Sequence, residues 1–170
     1  MAARKRLPHQ AETPGEAEYC LSGCFAAGYV FSDQAGSQMK SRVETLTPPN
    51  TPKPIGPYNH IAKVGQHISI GGTAGFDPAT GQLAGADVGA QTRQILKSFA
   101  VMLEAVGSDL NHVTHINIFL QQMSDFAAMN AAYEEMMGDH RPARTAIGVV
   151  ELPKPGVLLT MNLTAVTRER

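Results

Sequence analysis

Apolar residues recur along this chain with two different periods, and the change from one to the other marks the elements. Val88, Thr92, Ile95, Leu96, Phe99, Met102, Leu103 and Val106 fall on one face at helical spacing, which predicts an amphipathic helix. Asp87 stands where an N-cap or first-turn acid belongs, and Gly107 where a helix closes in the left-handed region. Phe126, Met129, Tyr133, Met136 and Met137 form the stripe of a second helix that starts near Ser124-Asp125 and stops at Gly138. A methionine stripe of this kind is core before it is a binding surface. Between the helices the period falls to two. Val113 to Gln121 predicts a strand with Thr114, Ile116, Ile118 and Leu120 on one face and Val113, His115, Asn117 and Phe119 on the other. Both faces carry apolar groups, so this strand is expected to be central and covered.

Shorter alternations complete the set. Ile61 to Lys63, a turn at Val64-Gly65, and His67 to Gly72 predict two short strands, with Ile68 and Ile70 facing inward. Asp77-Pro78-Ala79-Thr80-Gly81 has the residues of a tight turn. Ile147 to Val150 predicts a strand, Leu152 to Gly156 a loop, and Val157 to Val166 a last strand with Val157, Leu159, Met161, Leu163 and Ala165 on one face. The order β-β-helix-β-helix-β-β predicts an α+β layer, a mixed sheet covered on one face by two helices. The chain holds no further helices for the other face, so that face is expected to be buried against copies of itself in a closed ring.

Residues 1–54 break this regularity. They are rich in Pro, Ser, Thr, Gly and charge, and are expected to form an N-terminal tail ahead of a domain at 55–170. Met39 looks like a natural beginning, so residues 1–38 are expected to be an extension or an artefact lying upstream of the true start. The competing expectation is that Tyr19 to Phe31 packs as an added strand or arm. Pro48, Pro49, Pro52, Pro54 and Pro57 make a stiff, extended lead-in that delivers Tyr58 at a defined angle. Tyr58 is then either plain packing or the aromatic wall of a ligand site.

Composition excludes several functions. The formal net charge is -1, which gives no reason to expect DNA or an anionic membrane as partner. With no tryptophan, only 6 Phe and 4 Tyr, and no basic stripe, the chain lacks the platform that single-stranded nucleic acid needs. Cys20 and Cys24 allow a disulfide, but no further Cys or close His pair completes a zinc set. The 8 methionines and 2 cysteines suit a reducing, cytoplasmic setting. No run approaches the roughly twenty apolar residues of a membrane span. Pro8, Glu12, Pro14, Glu16 and Glu18 make the N-terminus a poor signal peptide.

Candidate chemistry centres on Arg141-Pro142-Ala143-Arg144. An arginine at the mouth of a strand, preset by a proline two residues earlier, offers a planar fork of donors suited to a carboxylate or phosphate. Asn130 lies near the buried stripe of the second helix and needs partners; it ties backbone groups together or reaches a pocket. His112 and His115 are expected on opposite sides and cannot share a metal. His60 and His67 flank the turn and are placed to oppose each other across the hairpin, with solvated or core roles. His140 is placed to edge the arginine site, and Glu151 is the nearest acid in sequence, expected at the surface.

Ile55-Gly56-Pro57-Tyr58, Asp77-Pro78-x-Thr80-Gly81, Gln91-Thr92-Arg93-Gln94, Ser124-Asp125-Phe126-x-x-x-Asn130-x-x-Tyr133, Pro142-Ala143-Arg144 and Leu152-Pro153-Lys154 occur together and in order. As a set they resemble the Rid family (also called YjgF or L-PSP), from about Pro54 to Val166. The resemblance implies a chorismate-mutase-like α+β fold assembled as a homotrimer, with ligand sites in the clefts between subunits. It implies hydrolysis of reactive 2-imino or enamino acids to 2-keto acids and ammonia, with no metal or organic cofactor and a small carboxylate-bearing substrate as partner. It assigns the carboxylate clamp to Arg144, the pocket wall to Tyr58 and a supporting role to Asn130.

Three positions depart from that pattern. Deaminating members carry a glutamate on the last strand, where this chain has Thr160. They commonly carry serine where this chain has Gly71, and Cys or Thr where it has Ala146. The catalytic residues expected here are therefore Arg144 and Thr160, with Tyr58, Gly71, Asn130 and Ala146 at the substrate. Thr160 can orient water but is a poor base near neutral pH, and losing general-base help costs on the order of a hundredfold or more. Two alternatives follow: a trimer that binds a small carboxylate without chemistry, and a divergent member acting on another small molecule. Ribonuclease activity, a name attached to parts of the family, finds no basic groove and no acid-base set in this sequence.

Overall fold

The computed structural model describes residues 42–168. Met39, Cys20, Cys24 and the Tyr19 to Phe31 stretch lie outside the described residues. Eight regular elements follow one another. They are β1 (Glu44–Leu46), β2 (Ile61–Val64), β3 (His67–Ala74), α1 (Val88–Glu104), β4 (Val113–Leu120), α2 (Phe126–Met137), β5 (Ala143–Gly148) and β6 (Leu159–Val166). Single 3-10 turns at Leu110–His112 and Met123–Asp125 lead into β4 and α2. The strands form one six-stranded sheet in the order β1-β2-β3-β6-β4-β5. Every pairing is antiparallel except β4 with β5. That parallel pair needs a crossover, and α2 supplies it.

The helical stripes are buried as their spacing requires. Ile95, Leu96, Phe99, Met102 and Leu103 of α1 are fully buried, as is Met129 of α2. They share one core with Ile68 and Ile70 of β3, Ile116, Ile118 and Leu120 of β4, and Leu159, Met161 and Leu163 of β6. The alternate positions Ser69, Asn117, Phe119, Asn162 and Thr164 are exposed or half-buried on the other face. There Asn117 Nδ2 donates to Asn162 Oδ1 at 2.8 Å.

The ends of α1 are held by local chemistry. Ala90 N–H donates to Asp87 Oδ1 at 2.8 Å. At the other end Ser108 N–H reaches Leu103 O at 2.9 Å and Gly107 N–H reaches Glu104 O at 3.1 Å. This double closure requires the positive φ of Gly107, which is 79°. Lys63 Nζ also donates to Val106 O, at 3.2 Å. Asp87→Ala removes the N-terminal acceptor and is expected to cost about 1 kcal/mol in urea unfolding. A loss below about 0.2 kcal/mol would mean that the cap contributes nothing here.

Four expectations need correction. Residues 44–46, placed in the tail, form β1, because Thr45 pairs with Ala62 across the edge of the sheet. β5 begins at Ala143 rather than Ile147, so Arg144 lies inside the strand, opposite Ile116, and not at its mouth. β5 is an exposed edge whose existence rests on ladder bonds to β4, so no apolar alternation announces it. In β4 the register slips between Val113 and His115. The extra residue, Thr114, faces solvent and Val113 joins the core, the reverse of the simple alternation. Finally, β6 starts at Leu159, although Val157 ahead of it is buried as expected.

Candidate functional site

The residues singled out in the sequence fall into two groups on this chain. The first lies where α2 meets β5. A cavity of about 390 Å³ is lined by Asn130, Tyr133, Glu134, Arg141, Pro142 and Arg144. The parallel β4–β5 pairing brings the start of β5 under the buried face of α2. Arg144 Cζ lies 4.9 Å from the centroid of the Tyr133 ring and 5.9 Å from that of Phe126. These aromatic faces attract a cation and hold its plane.

The two arginines of the motif have different surroundings. Arg141 pairs with Glu134, Nη2 to Oε1 at 3.1 Å, and also donates to the Gly138 carbonyl. Among the described residues Arg144 has no carboxylate within salt-bridge distance and no hydrogen-bond acceptor. Its fork is therefore available to an incoming anion. Two acceptors or donors beside it are also unmet: Asn130 Oδ1 and Tyr133 Oη are buried with no hydrogen-bond partner among the described residues. Of the two roles open to Asn130, reaching a pocket is the one observed. Burial raises the Tyr133 phenol above its ordinary range, and the positive charges of Arg144 and Arg141 partly oppose that rise. Tyr133 thus stays a neutral donor beside the guanidinium at working pH.

The second group lies where β3 and β6 meet the proline-rich lead-in. A small cavity of about 50 Å³ has Tyr58, His60, Thr73, Lys154 and Thr160 in its wall. Thr160 sits in β6 between Ala74 of β3 and Phe119 of β4. Tyr58 is 41% exposed and lines this cavity, so it is not core packing. It meets His60 edge-on, with ring centroids 5.7 Å apart. Lys154 Nζ stands 5.3 Å over the Phe76 ring.

The remaining candidates have plainer places. Gly71 lines neither cavity; its N–H donates to His60 O at 2.8 Å, and a Cβ there would meet only that oxygen, at 3.7 Å. Ala146 pairs with Ile118 and packs on the core. His67 is exposed opposite Val64, so it does not face His60 as the hairpin suggested. His140 Nε2 lies 2.9 Å from Val113 O, and Glu151 is exposed. His112 Nδ1 pairs with Asp109 Oδ1 at 2.8 Å, and His115 Nε2 lies 3.3 Å from Thr145 Oγ1. No described cluster of three His, Cys, Asp or Glu side chains is placed to hold a metal. No helix among the described residues is long and apolar enough to cross a membrane.

Sequence reasoning missed one organising side chain. Gln91 of α1 is fully buried. Its Nε2 donates to Gly85 O at 3.1 Å and Gly156 O at 2.9 Å, and its Oε1 accepts from Leu158 N–H at 2.9 Å. It pins to the helix the loop that carries Pro153, Lys154 and Val157 into the second cavity. The sequence signalled it only as part of the motif Gln91-Thr92-Arg93-Gln94, which does not reveal that the side chain bridges to a distant loop.

Fold and cavities define the class: a small α+β protein with cation-lined cavities at two separate places on one mixed sheet. The family model described as Endoribonuclease L-PSP matches residues 48–167. A RutC family protein of Pyrococcus horikoshii is 43% identical over 111 residues, 65% of this chain and 88% of that one. A 2-iminobutanoate/2-iminopropanoate deaminase of Salmonella typhimurium is 34% identical over 128 residues, 74% of this chain and 98% of that one. The crystal structure of E. coli TdcF with bound serine superposes with a TM-score of 0.69 at 27% identity, covering 74% of this chain and 99% of that one. The chain belongs to the Rid (YjgF, L-PSP) family.

Proposed function

We propose that this protein hydrolyses small 2-imino or enamino acids to 2-keto acids and ammonia. The observation that carries this reading is Arg144. It is held over two aromatic rings at the edge of a 390 Å³ cavity, with no acid of its own among the described residues. A bidentate guanidinium in that setting suits a substrate carboxylate. Arg144 and Thr160 line different cavities of one chain. The reading therefore takes the site to be assembled between subunits of a homotrimer. The Arg144 half of one subunit then meets the Tyr58–Thr160 half of the next. Tyr58 walls the substrate and Asn130 supports it, whereas Gly71 and Ala146, which line neither cavity, take no part in this reading. Thr160 and a backbone carbonyl hold the water. In this reading the reaction uses side chains and water. The relatives that carry the deaminase name support the reaction class, and the serine bound to TdcF supports a small amino-acid-like ligand.

The test is keto-acid release from 2-aminoacrylate generated in place by a dehydratase. Purified protein is expected to shorten the life of the enamine; unchanged release by an intact oligomer would reject the reading. A second reading is favoured by one observation, the neutral Thr160 where a carboxylate is expected: a trimer that binds small carboxylates without turnover. In that case calorimetry would show 2-ketobutyrate or benzoate binding through Arg144 while the enamine assay stays silent.

A further inference from the structure

Two cations beside Thr160 have no task in the hydrolysis of a small aliphatic imine. Lys53 and Lys154 both line the cavity that holds Tyr58 and Thr160. Neither has a carboxylate within salt-bridge distance among the described residues. The wall of that cavity contains no aspartate or glutamate, and Thr160 adds only a neutral hydroxyl. This half of the site therefore presents two positive charges and no negative one. The Arg144 cavity differs, because Glu134 stands in its wall and is paired with Arg141.

Both lysines stand on anchored backbone. Lys53 lies between Pro52 and Pro54, whose rings fix φ, and the Pro52 carbonyl oxygen is 2.7 Å from Nε2 of the buried His60. Lys154 begins the loop that Gln91 pins to α1 through Gly156 O and Leu158 N–H, each at 2.9 Å. Its Nζ stands 5.3 Å over the ring of Phe76, which belongs to the same wall. The ring attracts the ammonium to that wall, and an ammonium carries three donors with which to meet an anion. Both lysines are exposed, so a ligand reaches them without disturbing the core. The cavity offers about 50 Å³. At on the order of 10–15 Å³ for each water-sized position, that is room for about three or four such atoms, the size of a carboxylate group.

We propose that the preferred substrates of this protein are 2-imino dicarboxylic acids, with Arg144 on the carboxylate next to C2 and Lys53 and Lys154 on the distal one. The inference rests on imine hydrolysis being the reaction and on the two halves meeting between subunits. The division of labour follows from the side chains. A rigid guanidinium fork fixes the end of the substrate that reacts. Lysine is a point charge on a flexible stem, so the pair follows a distal carboxylate at more than one chain length. A glutamate at position 160 would repel that carboxylate, and threonine does not. The distal group takes no part in the chemistry. Water adds to C2 of the protonated imine, the C–N bond breaks, both water hydrogens pass to nitrogen, and a 2-keto dicarboxylic acid and ammonium leave.

The test compares substrates on one preparation of the full chain, so that the ratio of rates is read and not their size. 2-Iminosuccinate, 2-iminoglutarate and 2-iminobutanoate are generated in place from their amino acids by amino-acid oxidases, and keto-acid release above the uncatalysed rate is followed. The kcat/KM of the wild-type protein for either dicarboxylic imine is expected to exceed that for 2-iminobutanoate by about tenfold, the worth of two partly exposed charge contacts. The double variant Lys53→Met, Lys154→Met is expected to bring that ratio down to about one, and added salt is expected to lower it in the wild type. A wild-type ratio of one or below overturns the proposal, as does a double variant that keeps the wild-type ratio. If the variant fails to fold, calorimetry of the wild type decides: 2-oxoglutarate is expected to bind about tenfold more tightly than 2-ketobutyrate, and equal binding overturns the proposal. Turnover of 2-iminobutanoate without any dicarboxylic preference removes this inference and leaves the imine reading standing. A protein that hydrolyses none of the three imines overturns that reading and this inference with it.

Discussion

Arg144→Ala is expected to lower kcat/KM for 2-imino acids by roughly 10²–10³-fold, equivalent to about 3–4 kcal/mol of lost transition-state binding. The size follows from the group removed. A forked guanidinium makes two charge-assisted bonds to one carboxylate, each stronger than a neutral hydrogen bond, and truncating such a partner commonly costs about 2–5 kcal/mol. Stability is expected to fall by no more than about 1 kcal/mol, because Arg144 is exposed and contributes to the fold mainly through its contacts with Tyr133 and Phe126. Arg144→Lys keeps the charge and loses the fork, and should lie between alanine and wild type. Keto-acid release and thermal unfolding, measured on the same preparations, check both halves. An alanine variant with wild-type turnover would remove Arg144 from the site.

Gln91→Leu is expected to cost about 3–5 kcal/mol in urea unfolding, a large share of the roughly 5–15 kcal/mol that holds a domain together. Leucine fills nearly the same space, so packing changes little. What changes is that Gly85 O, Gly156 O and Leu158 N–H lose their partner at once; a stranded buried group costs about 1–3 kcal/mol, an upper bound for each here because Gly156 is exposed and Gly85 and Leu158 are half-buried. The surroundings leave little slack to compensate: a Cβ on Gly75 would come within 2.7 Å of the Gln91 Cα. The same variant should weaken activity, because the loop it releases carries part of the Tyr58–Thr160 cavity. A loss under about 1 kcal/mol would show that water takes over these bonds.

Local pattern carried most of the fold. The α1 stripe from Val88 to Val106 is buried at every expected position, and Asp87 and Gly107 bound the helix as capping chemistry requires. The core faces of β3 and β6 were legible for the same reason: Ile68, Ile70, Leu159, Met161, Leu163 and Ala165 alternate with polar or small residues. Where the pattern failed, an element owed its existence to a distant partner. β1 and β5 are exposed edges with no apolar alternation, and the Thr114 bulge depends on how β4 meets β6. The candidate site divided in the same way. Arg144, Tyr58, Asn130 and Thr160 could be named from their motifs. That they stand as two separate groups, that among the described residues Arg141 is paired and Arg144 is not, and that Gln91 ties a loop to a helix could not.

The sequence by itself determined the two helices, the inward faces of the main strands, the family, and the residue types available for chemistry. Those depend on periodicity, capping and composition, which act within a few residues of each other along the chain. Only the tertiary structure decided which arginine has no acidic partner among the described residues and which cavity each candidate lines. Each of these is set by a partner across a turn or far away in sequence: Glu134 for Arg141, β4 for the strand that carries Arg144. Hydrogen-bond donors and acceptors are satisfied in space, and the groups left over, which are the ones able to meet a ligand, become visible only after that pairing is complete.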